Sequence, residues 1–144
     1  MSAFRHRNTP AAEPLDYLSH AVGDGRYVFL SGQLAADKAG GAQGLGDTAA
    51  ETRIAMELLG GALAEFGLDY ADLVRVNIYM TDLGDLDRMN EVYSRFFEAG
   101  RMPARTCVGV AALIGGGKIE IDGIARLREG EAGTGGKRAV RERQ

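Results

Sequence analysis

The chain has no tryptophan, one cysteine, two histidines and three prolines among its 144 residues. A lone Cys107 excludes an internal disulfide, and with only His6 and His20 beside it the usual Cys/His zinc site cannot be assembled. Long apolar runs are also missing. Charge-free stretches are short and broken by glycine, far below the ~20 apolar residues of a membrane span. The arginines within the first seven residues are followed by Thr9, Pro10, Glu13 and Asp16 rather than an apolar segment, so the N-terminus does not read as a secretory signal and the expected location is the cytoplasm. Excess positive charge is absent too. Seventeen Lys/Arg stand against twenty Asp/Glu, a net charge of −3. Of these, five basic and three acidic residues lie in 128–144, which leaves twelve against seventeen, or −5, for the rest. A body of that sign lacks the electrostatic footprint for neutralising phosphates, so nucleic acid is not an expected partner.

What is present is the composition of one ordinary domain. Hydrophobic residues make up 45% and charged residues 26% of a 15.3 kDa chain, enough to build a core without staples. The division expected is a single domain over 1–127 and a charged, glycine-rich tail over 128–144. In that tail Gly130, Gly133, Gly135 and Gly136 sit among charges with too little apolar surface to offset ordering entropy. A second glycine cluster (Gly40, Gly41, Gly44 and Gly46) reads as a loop between a strand and a helix. It has neither the Gly-Lys-Ser/Thr ending of a P-loop nor the position of a dinucleotide fingerprint.

Between these punctuation marks the elements are legible. Residues 26–31 follow the Asp24-Gly25 turn signal and are rich in β-formers. Residues 47–66 read as a helix: Thr48-Ala-Ala-Glu51 fits a capping box, Ile54, Leu58, Leu59, Leu63 and Phe66 share a face, and Gly67 stops it. Gly60 and Gly61 inside that helix suggest close backbone packing. Leu73–Met80 alternates with the period of a strand, and 86–97 carries Leu86, Met89, Val92, Tyr93, Phe96 and Phe97 on one helical side. Two further strands, 104–113 and 118–127, joined by Gly115-Gly-Gly117, read as a hairpin. The order implies an α+β sandwich, a sheet with two helices on one face. The other sheet face, expected to hold Arg105, Cys107 and Glu120, is too mixed for a core and too apolar for plain solvent. A homo-oligomer covering it is the economical solution.

Arg105 and Cys107, two apart on a strand, share a face, and Glu120 on the next strand can join them through a neighbouring strand or subunit. The set offers a guanidinium fork for a carboxylate, a thiol, and a carboxylate able to orient water. Each has an ordinary structural reading as well. Arg and Glu on adjacent strands are commonly a cross-strand ion pair, and a lone strand cysteine is commonly a small buried hydrophobe. His20 reads as a polar surface or interface residue, and Tyr17, Tyr79 and Tyr93 as amphipathic packing residues.

Pro103-Ala-Arg-Thr-Cys-Val-Gly-Val-Ala-Ala-Leu113, with Lys118-Ile-Glu-Ile121 and Ile124-Ala125, resembles the signature of the Rid family of enamine/imine deaminases, also called the YjgF or endoribonuclease L-PSP family. Phe29-Leu-Ser-Gly-Gln33, the helix start at 47–52, Tyr79-Met-Thr-Asp-Leu83 and Asn90-Glu-Val-Tyr93 with Phe96-Phe97 follow in family order. The likeness runs from about Leu18 to Ala125. It implies a chorismate-mutase-like α+β fold assembled as a homotrimer, with ligand sites in the clefts between subunits and no cofactor. It further implies that Arg105 binds the substrate carboxylate, Glu120 positions the attacking water, Cys107 lines the pocket, and the Ser31-Gly32 backbone closes it. The implied reaction is hydrolysis of 2-iminopropionate and related 2-imino or enamino acids to 2-keto acids and ammonium.

The family's Gly-Pro-Tyr-Ser-Gln-Ala-Val stretch corresponds to Asp16-Tyr-Leu-Ser-His-Ala-Val22, so Leu18 replaces the pocket tyrosine. Tyr17, one residue away, substitutes for it only through an irregular backbone. Gly109 stands where many relatives carry a larger side chain. Two other readings therefore stay open: a deaminase of a different, 2-aminomuconate-like enamine, and a non-catalytic trimer that binds small carboxylates. A ribonuclease is opposed by the acidic body and the lack of a histidine pair for acid/base cleavage.

Overall fold

In the computed structural model, which describes residues 4–128, the chain enters at a short edge strand, β1 (Arg5–Arg7). It then forms β2 (Ala21–Gly23) and β3 (Tyr27–Leu34). The β2–β3 turn is the expected Asp24-Gly25 pair. Asp24 Oδ1 accepts from the amides of Arg26 and Tyr27 at 2.9 and 2.7 Å, and Gly25 takes φ 97°. The expected tail beyond Arg128 lies outside the described residues. Arg128 itself is held by Asp72, at 2.6 Å.

Helix α1 (Thr48–Ala64) is capped one residue earlier than the capping-box reading placed it. Asp47 is the cap, accepting from the Ala50 amide at 2.8 Å. Glu51 is therefore free for a different task. Buried to 1% exposure, its carboxylate accepts from the amides of Gly46 (2.7 Å), Lys118 (2.8 Å) and Ile119 (3.2 Å), tying the glycine loop to the start of the last strand. The paired glycines in α1 do mark close packing. The Tyr70 hydroxyl occupies the space of a Cβ on Gly60 and donates to the Met56 carbonyl at 2.8 Å, while Thr9 and Ala11 fill that of Gly61. Gly67, at φ 71°, ends the helix.

Strand β4 (Leu73–Met80) has the expected bounds, helix α2 (Leu86–Ser94) stops one turn short of Phe97, and β5 (Ala104–Gly109) stops four residues early. The last strand is β6 (Ile119–Arg126). Strand order is β1-β2-β3-β6-β4-β5, antiparallel throughout except for the parallel β4–β5 pair. The expected β5–β6 hairpin is therefore wrong. The glycines do turn, with Gly115 and Gly116 at φ 80° and 76°, but β4 lies between the two strands. Residues 110–118 cross its end, fastened by Val110 N–H to Met80 O (2.8 Å) and Thr81 N–H to Lys118 O (3.2 Å).

This is the expected α+β architecture, a mixed sheet with two helices on one face. Met56, Leu59 and Leu63 of α1 and Met89 and Tyr93 of α2 pack on Val76, Ile78, Ile119 and Ile121. The opposite face carries half-exposed Phe29 beside Ile124 and, further along, a polar cluster. There Asp122 accepts from Asn77 Nδ2 and from the Tyr79 hydroxyl, each at 2.8 Å. That bond to Asp122, with burial, pushes the Tyr79 phenol up to about 12. No helix among the described residues is long and apolar enough to cross a membrane.

Candidate functional site

Glu120 occupies the second position of β6, between Leu34 of β3 and Tyr79 of β4, and projects from the open face. Beside it the β3–β6 ladder is interrupted between Leu30 and Gln33, so Ser31 and Gly32 bulge from the sheet. Ser31 fastens the bulge. Its amide donates to the His20 carbonyl at 3.0 Å, and its hydroxyl to the Ser19 carbonyl at 2.7 Å. A Cβ on Gly32 would overlap Glu120 Oε2, so glycine is what leaves the carboxylate its place. Among the described residues no donor is bonded to that carboxylate. Burial pushes its acid above the ordinary glutamate value, and the carboxylates of Asp122 and Asp37 push it the same way. Asp37, at the end of the 3-10 turn Ala35–Asp37, is raised by burial as well, with His20 acting against it.

Glu120, Asp37 and the Ser31-Gly32 bulge share a cavity of about 300 Å3 with Tyr17 and Leu18. The condition for Tyr17 to reach the site is met: an isolated bridge pairs Leu15 with Leu18, putting Asp16 and Tyr17 at the tip of a tight turn instead of on a strand. Five expected site residues (Glu120, Ser31, Gly32, Leu18 and Tyr17) are therefore together. His20 also lines the cavity, but it is not the surface residue the sequence suggested. It is buried, with both ring nitrogens engaged: the Thr9 amide donates to Nδ1 at 3.0 Å, and Nε2–H donates to the Glu13 carbonyl at 3.0 Å. It locks the segment before β2.

Arg105 and Cys107 are elsewhere, and their expected face is corrected. In the parallel register Arg105 lies beside Val76 and Cys107 beside Ile78, so both point to the helix-covered side. Alternation within β5 is as expected; the relation of β5 to β6 is not, because β4 intervenes. The Arg105 guanidinium donates to Asn90 Oδ1 at 2.8 Å and lies 5.1 Å from the ring centroid of Tyr93, both on α2. Tyr93 is 2% exposed, and its hydroxyl has no partner among the described residues. Burial pushes that phenol up to about 12, Arg105 opposing. Burial also pushes the Cys107 thiol up, against the pull of Arg105, the opposite of a poised nucleophile.

Sequence reasoning missed Asp37, Leu15 and Ile114, which line the cavity with Glu120. Asp37 carried no signal beyond its place at the edge of the glycine loop. Gly109 is backed by the Leu83 side chain, so it faces that residue and not the Glu120 cavity.

Residues 8–127 match the family model described as endoribonuclease L-PSP. The chain belongs to this family, known also as the YjgF or Rid family. Among its relatives, Protein DfrA of Myxococcus xanthus is 48% identical over 104 residues, covering 72% of this chain and 79% of that one. The 2-iminobutanoate/2-iminopropanoate deaminase of Bos taurus is 36% identical over 107 residues, 74% and 77% of the two chains. In structure, a YjgF-family member from Neisseria meningitidis superposes with a TM-score of 0.74 at 29% identity, covering 88% of this chain and 96% of that one. Escherichia coli TdcF, solved with bound serine, gives 0.78 at 31%, covering 86% and 98%. The L-PSP fold thus accounts for the sheet and both helices.

Proposed function

We propose that the protein is a homotrimeric deaminase that hydrolyses reactive 2-imino and enamino acids, such as 2-iminopropionate formed from 2-aminoacrylate, to 2-keto acids and ammonium. The observation that carries this reading is the placement of Arg105 and Glu120 on opposite faces of the sheet, two strands apart. Among the described residues the Glu120 cavity is lined by acidic, apolar and uncharged polar side chains and by the buried His20, with no lysine or arginine. Of the described residues, Arg105 on the edge strand of a second copy is the cation offered to a substrate carboxylate. The apolar residues on the open face, Phe29 and Ile124, support burial of that face between copies.

In that cleft Arg105, aimed by Asn90 and Tyr93, grips the carboxylate, and Glu120 holds a water against the imine carbon. The water oxygen bonds to that carbon as Glu120 takes its proton. The proton passes to nitrogen as the C=N double bond opens, giving a carbinolamine; its hydroxyl proton then moves through Glu120 to nitrogen as the C–N bond breaks and the C=O bond forms, so that ammonia leaves the 2-keto acid. An imine is electrophilic enough that no covalent nucleophile is needed, so Cys107 serves as lining, and no cofactor enters. Leu18 in place of the family tyrosine favours a second reading within the same chemistry, an enamine larger than 2-aminoacrylate.

The test couples a PLP enzyme that releases 2-aminoacrylate to this protein and follows disappearance of the imine. Arg105→Ala and Glu120→Gln are each expected to abolish the acceleration. Refolded together at equal amounts, the two variants are expected to regain about a quarter of the wild-type sites, because a head-to-tail trimer pairs one chain's Glu120 with its neighbour's Arg105. No acceleration by trimeric wild type refutes the assignment to 2-iminopropionate, and no regain on mixing refutes the shared site.

A further inference from the structure

The Glu120 cavity is larger and more apolar than a three-carbon substrate requires. 2-Iminopropionate, with six non-hydrogen atoms, occupies on the order of 100 Å3, the share of three or four liquid waters. The cavity measures about 300 Å3. Its extra lining comes from two segments outside the sheet. One is the tight turn closed by the Leu15–Leu18 bridge. The other is the 3-10 turn Ile114–Gly116, where Gly115 adopts φ 80° and Ile114 is 86% exposed. Both send aliphatic side chains, Leu15, Leu18 and Ile114, to the cavity that holds Glu120. Large aliphatic groups left in solvent beside an unpaired, half-buried carboxylate have the signature of a ligand subsite.

Three polar groups of the cavity are engaged elsewhere. His20 has both ring nitrogens bonded, and Glu13 Oε2 accepts from the Gly40 amide at 3.2 Å. The Ser31 hydroxyl donates to the Ser19 carbonyl at 2.7 Å. Glu120 is left facing the reacting carbon, with the aliphatic groups for whatever that carbon carries.

We infer that Leu15, Leu18 and Ile114 form a side-chain subsite that selects 2-imino acids with a bulky aliphatic side chain, such as the imine of leucine, over the imine of alanine. The inference rests on the deaminase reading and names the substrate class for the same site. Hydrophobic pockets discriminate by about tenfold or more for each methylene they are shaped to take, so a preference of at least about tenfold in kcat/KM is expected.

Imines generated in place from leucine and from alanine by an L-amino-acid oxidase supply the test. Wild type is compared with the double variant Leu18→Ser/Ile114→Ser, both positions being solvent-exposed in the single chain. The leucine-to-alanine ratio of kcat/KM should exceed about ten in wild type and fall toward one in the variant. A wild-type ratio near one, or a ratio the variant leaves unchanged, overturns the subsite while Arg105-dependent turnover leaves the deaminase reading standing. A calorimetric arm measures binding of the two keto-acid products. Tighter binding of 4-methyl-2-oxopentanoate than of pyruvate, lost in the variant but unaccompanied by turnover of either imine, keeps the subsite and overturns the deaminase. Equal binding without turnover overturns both.

Discussion

The backbone of Gly32 and the carboxylate of Glu120 are in such close contact that no side chain fits between them. The contact joins a strand irregularity to a candidate catalytic group, because Gly32 lies in the stretch where β3 leaves its ladder. Gly32→Ala forces its methyl group onto Oε2, the far end of a flexible side chain, so the carboxylate yields and the sheet does not. Imine hydrolysis should fall by more than about tenfold, as for other misplaced catalytic groups, with the thermal midpoint little changed. A variant that unfolds early while keeping its specific activity would assign Gly32 to packing alone.

Acidity at Glu120 ties activity to stability. Burial, then Asp122 and Asp37, raise its acid in the folded chain. The folded protein therefore binds this proton more tightly than the unfolded one, and the group's contribution to stability falls as pH rises through the window between the two values. Glu120→Gln should gain in urea midpoint over wild type at neutral pH and lose that gain below the ordinary glutamate range. The acid limb of kcat/KM should sit above that range. Asp37→Asn, which removes a like charge, should move the limb to lower pH. An unmoved limb would show that Asp37 does not act on Glu120.

Glu51 is tested by stability alone. Its buried carboxylate accepts from three backbone amides. Glu51→Gln keeps the shape but presents an NH2 group to an N–H donor. The expected loss is about 2 kcal/mol, the scale of one charge-assisted bond with its amide left unpaired. Chemical denaturation measures it, and a loss within experimental error would contradict the tie.

Much of this architecture is readable from the chain. Alternation in Leu73–Met80, the stop at Gly67 and the Asp24-Gly25 turn are local signals, and local geometry obeys them. The β5–β6 connection is not legible, because glycine chemistry specifies a turn without saying which strands flank it. The face of Arg105 and Cys107 differs from expectation for a related reason, whereas Glu120 projects from the open face as expected. Period two orders residues within a strand, but only pairing relates one strand to another. Strand β1 escaped notice because Arg-His-Arg carries no apolar rhythm; it is ordered by pairing with β2 and by Arg5 and Arg7 over the Phe66 ring. In the site, Glu120, Ser31 and Gly32 were legible as a motif. Asp37, Leu15 and Ile114 were not, since tertiary folding alone assembles their cavity.

Of the described strands β6 is the last to leave the ribosome, yet it lies between β3 and β4. Both neighbours must emerge and wait with bare hydrogen-bonding edges until residue 126 is made. The Glu51 carboxylate on α1 waits with them for the amides of Lys118 and Ile119. Vectorial synthesis cannot fold this domain piecemeal. A nascent chain interrupted before β6 presents two adhesive strand edges, and its fate is chaperone capture or aggregation.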